Sequence, residues 1–169
     1  MARKLLMVFS RHGSSEVCRG VTRFMFDTSV FGKILKMETP EALLKGERRY
    51  FVTHVQRDEL NAAPRGLRDK LLSVLQIIPQ QSIATETLVW GVSRWGEAKW
   101  GDNHMYTVIL QRLDDAKPME HLNNIKDALI ATTAIKNEIV LVTDDKILKN
   151  TVQELGGQAV SFEAFQKGL

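Results

Sequence analysis

Hydrophobic residues fall into two kinds of run that alternate along the chain from residue 21 onward. Short apolar runs rich in aromatic and β-branched residues predict strands at Arg23–Asp27, Arg49–Val55, Glu138–Val142 and Ala159–Phe162. Longer stretches with apolar residues at helical spacing predict helices, most clearly at 65–78, 123–137 and 144–157. This alternation predicts an α/β fold, a three-layer α/β/α sandwich with a central, mostly parallel sheet of about five strands.

Other segments carry shorter signals. In "ETPEALLKGE", Thr39 can cap a helix, Pro40 suits its first position and Gly46 suits its end. Helices are also expected in "QRDELNAAP" and "NHMYTVILQRLDD", and a helical turn in "EAFQKGL". The segment "SIATETLVW" is expected to continue the preceding helix. Residues 1–20 form an N-terminal extension of unassigned structure, which leaves 21–169 as the domain.

Composition bounds the class of protein. The 169 residues are 44% hydrophobic, enough for one domain with a sizeable core. The formal net charge of +3 is compatible with nucleic acid binding but does not require it. A single cysteine, Cys18, excludes an internal disulfide and favours a reducing, cytoplasmic compartment. No apolar run approaches the roughly 18–20 residues of a membrane span, so no membrane association is expected.

Carboxylates follow or lie near the ends of the predicted strands. Asp27 ends the first, Glu59 follows the second, and the pair Asp144 and Asp145 follows "IVLV"; Asp127 is expected in about the first turn of the helix before that strand. Functional groups in open α/β sheets collect beyond the carboxyl ends of the strands, so these acids are expected to converge.

Such a cluster is unfavourable without cations, because like charges at close range raise each other's pKa. Hard divalent ions prefer oxygen ligands, and pairs of them support phosphodiester hydrolysis. Simpler roles compete with this interpretation. Asp144 could be only a helix cap, and Glu59 could lie on a solvated helix face beside Asp58.

The segments "MFDTS", "HVQRDELNA", "KDALIATTAI" and "VLVTDD" together resemble the PIN-domain nucleases, over about residues 23–165. The resemblance implies Asp27, Glu59, Asp127 and Asp145 as catalytic, metal-binding acids. Its Thr-x-Asp pattern selects Asp145 over Asp144, which is left as a helix cap or supporting partner. It adds the hydroxyls of Thr143, and of Thr28 or Ser29, as supporting groups. It further implies Mg²⁺- or Mn²⁺-dependent endonucleolytic cleavage of single-stranded RNA, in a family that includes toxins of toxin–antitoxin pairs.

Two alternatives stay open. One is a PIN module that mainly binds an antitoxin, another protein or RNA. A homodimer of the chain is also possible. The other is a Mg²⁺-dependent phosphatase acting on small phosphate esters. Haloacid-dehalogenase-like phosphatases use Asp-x-Asp after the first strand, and Ser29 at the second of those positions argues against them.

A Trp-Gly pair recurs at residues 90, 95 and 100. A step of five residues does not keep one helical face. Trp95 with the cations Arg94 and Lys99 could stack on bases and hold phosphates of a nucleic acid. The competing and preferred expectation is that at least one tryptophan packs between helices, with glycines allowing turns or close approach.

Overall fold

The computed structural model describes residues 21–44 and 47–168, and it has the predicted α/β architecture. A five-stranded sheet lies between helices on both of its faces. The strands are β1 (Thr22–Phe26), β2 (Arg48–Val52), β3 (Gln80–Ser82), β4 (Val140–Val142) and β5 (Ala159–Val160). The helices are α1 (Thr28–Ile34), α2 (His54–Ala62), α3 (Arg65–Ile77), α4 (His104–Ala116), α5 (His121–Lys136), α6 (Lys146–Glu154) and α7 (Phe162–Gln166).

The sheet is parallel throughout, in the order β3-β2-β1-β4-β5. The central strand β1 pairs with β2 on one side and with β4 on the other, so that Phe24 is aligned with both Tyr50 and Val140. Parallel strands need crossover connections, which the helices supply. All five carboxyl ends therefore lie at one edge of the sheet, as the sequence predicted.

Successive side chains of β1 enter two different cores. Phe24 and Phe26 pack with α1, α3 and α7, and Phe26 lies edge-on against Phe165. Met25 packs on the other face, against α4, α5 and α6. This alternation follows from the two-residue period of a strand, and it gives a three-layer sandwich.

The predicted strand Arg49–Val55 is too long, because α2 begins inside it. Thr53 caps α2: its backbone N–H donates to Oε1 of Gln56 at 2.7 Å. Nε2 of Gln56 donates to the carbonyl of Phe26 at 2.9 Å, which ties the start of α2 to the end of β1. The capping box therefore outweighs the strand propensity of these residues, and the helix begins at His54.

The predicted helix over "SIATETLVW" is wrong. Residues Gln80–Ser82 form the edge strand β3, and an irregular segment from 83 to 103 then leads to α4. We call residues 83–103 the tryptophan loop. Thr85 and Ala98 form a β-bridge within it, and this pairing outweighs the helical propensity of the apolar residues.

The remaining predictions concern short segments. A 3₁₀ helix at Pro40–Leu44 replaces the regular helix expected in "ETPEALLKGE", and the extension 1–20 and Gly46 lie outside the described residues. The closing helical turn is α7. Within 21–44 and 47–168, no helix has the length and apolar character needed to cross a membrane.

Candidate active site

A cavity of about 320 Å³ opens at the carboxyl edge of the sheet. All four acids predicted as a group contribute to its wall. The lining residues are Asp27, Thr28, Ser29, Glu59, Lys117, Glu120, Asn123, Asp127 and Asp145. The convergence follows from the parallel topology, which brings the ends of β1 and β4 side by side.

Asp27 is the most enclosed of these acids, with 6% of its surface exposed. It directly follows β1, and its backbone N–H donates to the carbonyl of Val142 on β4. The hydroxyls of Ser29 and Thr143 both donate to its Oδ2, at 2.7 and 2.9 Å. Burial raises the pKa of Asp27, and the two hydroxyl bonds offset part of that rise. Ser29 and Thr143 thus fix the carboxylate in one orientation.

Glu59 lies on α2 and faces the same cavity. Its Oε2 accepts a hydrogen bond from the hydroxyl of Thr28 at 2.6 Å, and its Oε1 pairs with the ammonium of Lys126 at 3.2 Å. Neighbouring Asp58 instead pairs with Arg94. The two adjacent acids therefore face different partners, and Glu59 is the one that belongs to the cavity.

Asp127 lies deeper in its helix than expected. It is the seventh residue of α5, which begins at His121, so the helix dipole gives it little of the stabilisation expected for a first-turn acid. Burial raises its pKa to about 7, the charges of Asp27 and Glu59 add to the rise, and Lys117 opposes it.

The sequence analysis left Asp144 as the expected helix cap, but in the structure the cap is Asp145. Asp145 caps α6, because its Oδ1 accepts from the backbone N–H groups of Ile147 and Leu148 at 2.8 and 3.0 Å. Its Oδ2 faces the cavity. One carboxylate therefore serves both the helix and the site.

Asp144 is not the cap and does not line the cavity. Its Oδ2 pairs with Lys33 at 2.6 Å, and its Oδ1 accepts from the backbone N–H of Phe162 at the start of α7. The orientation of this two-residue turn is set by Thr143, whose hydroxyl oxygen accepts from the N–H of Asp145 at 3.1 Å.

Lys117 is the main site residue that the sequence did not indicate. It directly follows α4, and its ammonium lies 2.5 Å from Oδ2 of Asp145 and 3.8 Å from Oδ2 of Asp127. Burial alone would lower its pKa, but the hydrogen bond to Asp145 and the nearby carboxylates raise it. A lone lysine before Pro118 carries no motif, so only the fold reveals the contact.

The donor set suits a hard divalent cation, since it consists of carboxylates and hydroxyls around an excess of negative charge. The raised pKa of Asp127 reflects that excess as well as burial. In the described parts of the chain, however, no three acidic, histidine or cysteine side chains are arranged to hold one metal ion. Lys117 stands between Asp127 and Asp145, and a cation there would have to displace it.

The tryptophans do not pack between helices, so the preferred expectation for them is wrong. Trp90, Trp95 and Trp100 are 83%, 82% and 76% exposed. The two neighbouring cations are engaged in ion pairs: Arg94 with Asp58 and Lys99 with Glu86, both at 2.5 Å. None of these residues lines the acidic cavity.

Comparison with known proteins adds no family assignment. No protein-family model matches the chain, and no curated protein sequence matches it. The functional argument therefore rests on the residues of the site.

Proposed function

We propose that the chain is a metal-dependent endoribonuclease of the PIN type, hydrolysing phosphodiester bonds of single-stranded RNA. The observation that carries the proposal is the convergence of Asp27, Glu59, Asp127 and Asp145 on one cavity at the carboxyl edge of the sheet. Asp145 also caps α6, but a helix cap does not require three further acids in the same cavity, where like charges destabilise one another.

Among the described residues no three acids are placed to hold one ion in the present arrangement, so Asp27, Asp127 and Asp145 would hold Mg²⁺ or Mn²⁺ only after Lys117 leaves Asp145. Glu59 lines the same cavity beside Lys126. When bound, such ions supply Lewis-acid activation of the phosphate and of the attacking water. The reaction adds water across the bond between phosphorus and the 3′ oxygen, which leaves as a hydroxyl.

The chain's own groups prepare this site by orientation. Ser29 and Thr143 hold Asp27 through one carboxylate oxygen, and the backbone N–H groups at the start of α6 hold Asp145. Outer contacts of this kind fix the direction of a ligand and tune its basicity. Thr28 orients Glu59 in the same way.

The test is cleavage of end-labelled single-stranded RNA by the full chain in Mn²⁺ or Mg²⁺. Asp27→Asn and Asp127→Asn are expected to abolish cleavage, because each removes a charge from the cavity without changing side-chain size. Asp144→Asn is the matched control, since that acid faces Lys33 and lies outside the cavity. Full activity in both cavity variants would refute the proposal.

A second candidate is a PIN module that binds RNA, an antitoxin or another protein without cutting. The observation in its favour is that ammonium groups already pair with two cavity acids, Lys117 with Asp145 and Lys126 with Glu59. Calorimetric titration with Mn²⁺ separates the candidates. A nuclease must bind Mn²⁺ at the cavity and lose that binding in Asp127→Asn, whereas a binding module need not bind the ion.

The cellular setting that we propose is cytoplasmic. Its support is the single cysteine, which gives the sequence no internal disulfide to protect. Single-stranded RNA is available in that compartment.

A further inference from the structure

All three tryptophans of the sequence lie in the tryptophan loop, and all three are largely exposed. Exposed single apolar residues are ordinary on protein surfaces, but three of the largest apolar side chains in one loop are not. Each indole leaves a large apolar area in water and so forgoes the stabilisation that its burial would give. The fold gains nothing visible from them.

The backbone, in contrast, explains why the repeat has glycine at each of its three positions. Gly91 and Gly96 have φ of +79° and +77°, a conformation that side chains with a Cβ rarely adopt. Gly101 leaves no room for a Cβ, which would lie 2.5 Å from the carbonyl oxygen of Glu86. The fold therefore explains the glycine of each Trp-Gly pair. The tryptophans, which the fold does not bury, require a functional explanation.

The loop is held in place by its own hydrogen bonds and by contacts with α5. The N–H of Thr85 donates to Glu97, and the N–H of Lys99 donates to Thr85. The N–H of Glu86 donates to the hydroxyl of Thr133 on α5, and Asn137 donates to its carboxylate. A ligand would therefore meet indole rings on a built backbone rather than on a chain that must first be ordered.

The loop is continuous with the acidic cavity. Gly91 and Val92 line a cleft together with Glu59 and Lys126, and Glu59 also lines the cavity. The Arg94–Asp58 ion pair fixes the loop to α2, the helix that carries Glu59. The three rings line one pocket together with Gly91, so a flexible polymer lying on them would reach the cleft that Gly91 shares with Glu59.

We propose that Trp90, Trp95 and Trp100 form a stacking surface for bases of single-stranded RNA, beside the acidic cavity that cuts it. This inference rests on the proposed nuclease function and names how its substrate is held. Base–indole stacking tolerates every base, because each presents a flat π face.

The ion pairs around the rings argue against a protein partner but do not attract a polyanion, so the choice of RNA follows from the proposed nuclease cavity beside the loop. The ion pairs Arg94–Asp58 and Lys99–Glu86 lie among the tryptophans, whereas the centre of a protein interface is depleted of charged groups. The loop also holds more acidic than basic residues, with Glu86, Glu97 and Asp102 against Arg94 and Lys99. Stacking, rather than phosphate attraction to these paired cations, therefore supplies its affinity.

The experiment uses the full chain in EDTA, so that binding is measured without cleavage. Because these are the only tryptophans, intrinsic fluorescence reports on this surface alone. Titration with an oligouridine of about 12 nucleotides is expected to quench the emission. Anisotropy of the labelled RNA then gives affinities for the Trp→Leu variants, which keep an apolar side chain but lose the flat ring.

The affinity is expected to fall by about tenfold for each ring and by at least about 100-fold for the triple variant. Leu67→Ala, a change at an exposed apolar residue on α3, is the control and should leave the affinity unchanged. Circular dichroism should show all variants folded, because the rings are exposed. Unchanged affinity in the triple Trp→Leu variant, or no binding by the wild type, would overturn the inference.

Two further outcomes separate this inference from the nuclease proposal. Mn²⁺-dependent cleavage with unchanged RNA affinity in the triple variant retains the nuclease and overturns the stacking surface. Tryptophan-dependent binding without cleavage retains the stacking surface and refutes the nuclease. Self-association of the wild type without RNA, lost in the triple variant, would assign the rings to a protein contact and also overturn the inference.

Discussion

The ammonium of Lys117 occupies the cavity side of Asp145, with 2.5 Å between Nζ and Oδ2. Lys117 is only 14% exposed, so this is not one of the surface ion pairs that solvent screens to near zero. The two groups hold each other charged, since each shifts the pKa of the other in that direction. A divalent cation at the proposed site would have to compete with this lysine for the same oxygen.

Removing the lysine should therefore strengthen metal binding. Lys117→Met keeps most of the aliphatic stem and removes the competing charge, and we expect the metal-free protein to bind Mn²⁺ about tenfold more tightly, as charge-assisted bonds are worth about 1.5–3 kcal/mol. Isothermal calorimetry measures the change. Lys33→Met, which breaks the equivalent pair with Asp144 outside the cavity, should leave Mn²⁺ affinity as in the wild type. Equal affinities in all three proteins would remove Lys117 from the metal site.

Two substitutions should separate the role of Asp145 as a helix cap from the role of its charge. Asp145→Asn keeps an oxygen that can accept from the N–H groups of α6 but loses the ion pair with Lys117, so Mn²⁺ binding should be lost and stability should fall only by the contribution of that pair. Asp145→Ala removes the cap as well and should cost about 1 kcal/mol more than Asp145→Asn. Urea denaturation and calorimetry measure the two effects. A retained Mn²⁺ affinity in Asp145→Asn would contradict the assignment.

The metal-free protein should lose stability as pH rises toward neutrality. The pKa of Asp127 is about 7 in the folded chain, above its ordinary value of 3.8, so between these values the folded state holds a proton that the unfolded state has released. Stability from this group is complete at low pH and falls as pH rises through about 7, by at most about 4 kcal/mol.

Asp127→Asn should remove this pH dependence, so that the variant is more stable than the wild type above pH 7 and the two converge near pH 4. Carboxyl ¹³C NMR gives the pKa directly, and urea denaturation in EDTA across this range gives the stability. An Asp127 resonance that titrates near its ordinary value would contradict the prediction.

Two glycines should respond to alanine in opposite directions. Gly32 lies within α1 with nothing within 4 Å of an added Cβ, so Gly32→Ala should stabilise the protein by about 0.5–1 kcal/mol through helix propensity. Gly101→Ala would place its Cβ against the carbonyl of Glu86 and should destabilise it by about 1–3 kcal/mol. Thermal denaturation of the pair measures both. A stabilised Gly101→Ala would show that the loop backbone adapts.

The sequence was sufficient for the layered fold because hydrophobic period and strand-to-helix alternation are local signals. The sequence also predicted that the four acids meet, because a parallel sheet places the carboxyl ends of all its strands at one edge. It was insufficient where one residue decides the outcome. Asp144 and Asp145 exchange roles through a single turn fixed by the Thr143 hydroxyl.

Other errors came from contacts that are distant in the chain. Lys117 reaches Asp145 across 28 positions, and no spacing rule anticipates a lysine at the end of one helix meeting the cap of another. The tryptophan loop differs from the predicted helix because the Thr85–Ala98 bridge and the turn at Gly91 determine its path, although its apolar residues suit a helix.

The two edge strands of the sheet are short. β3 consists of two glutamines and a serine, and β5 has only two residues. Long apolar edges invite other chains to add a strand, which leads to aggregation or to partners that extend the sheet. These edges offer little backbone for such an addition, so the sheet is a poor site for the docking of a further strand.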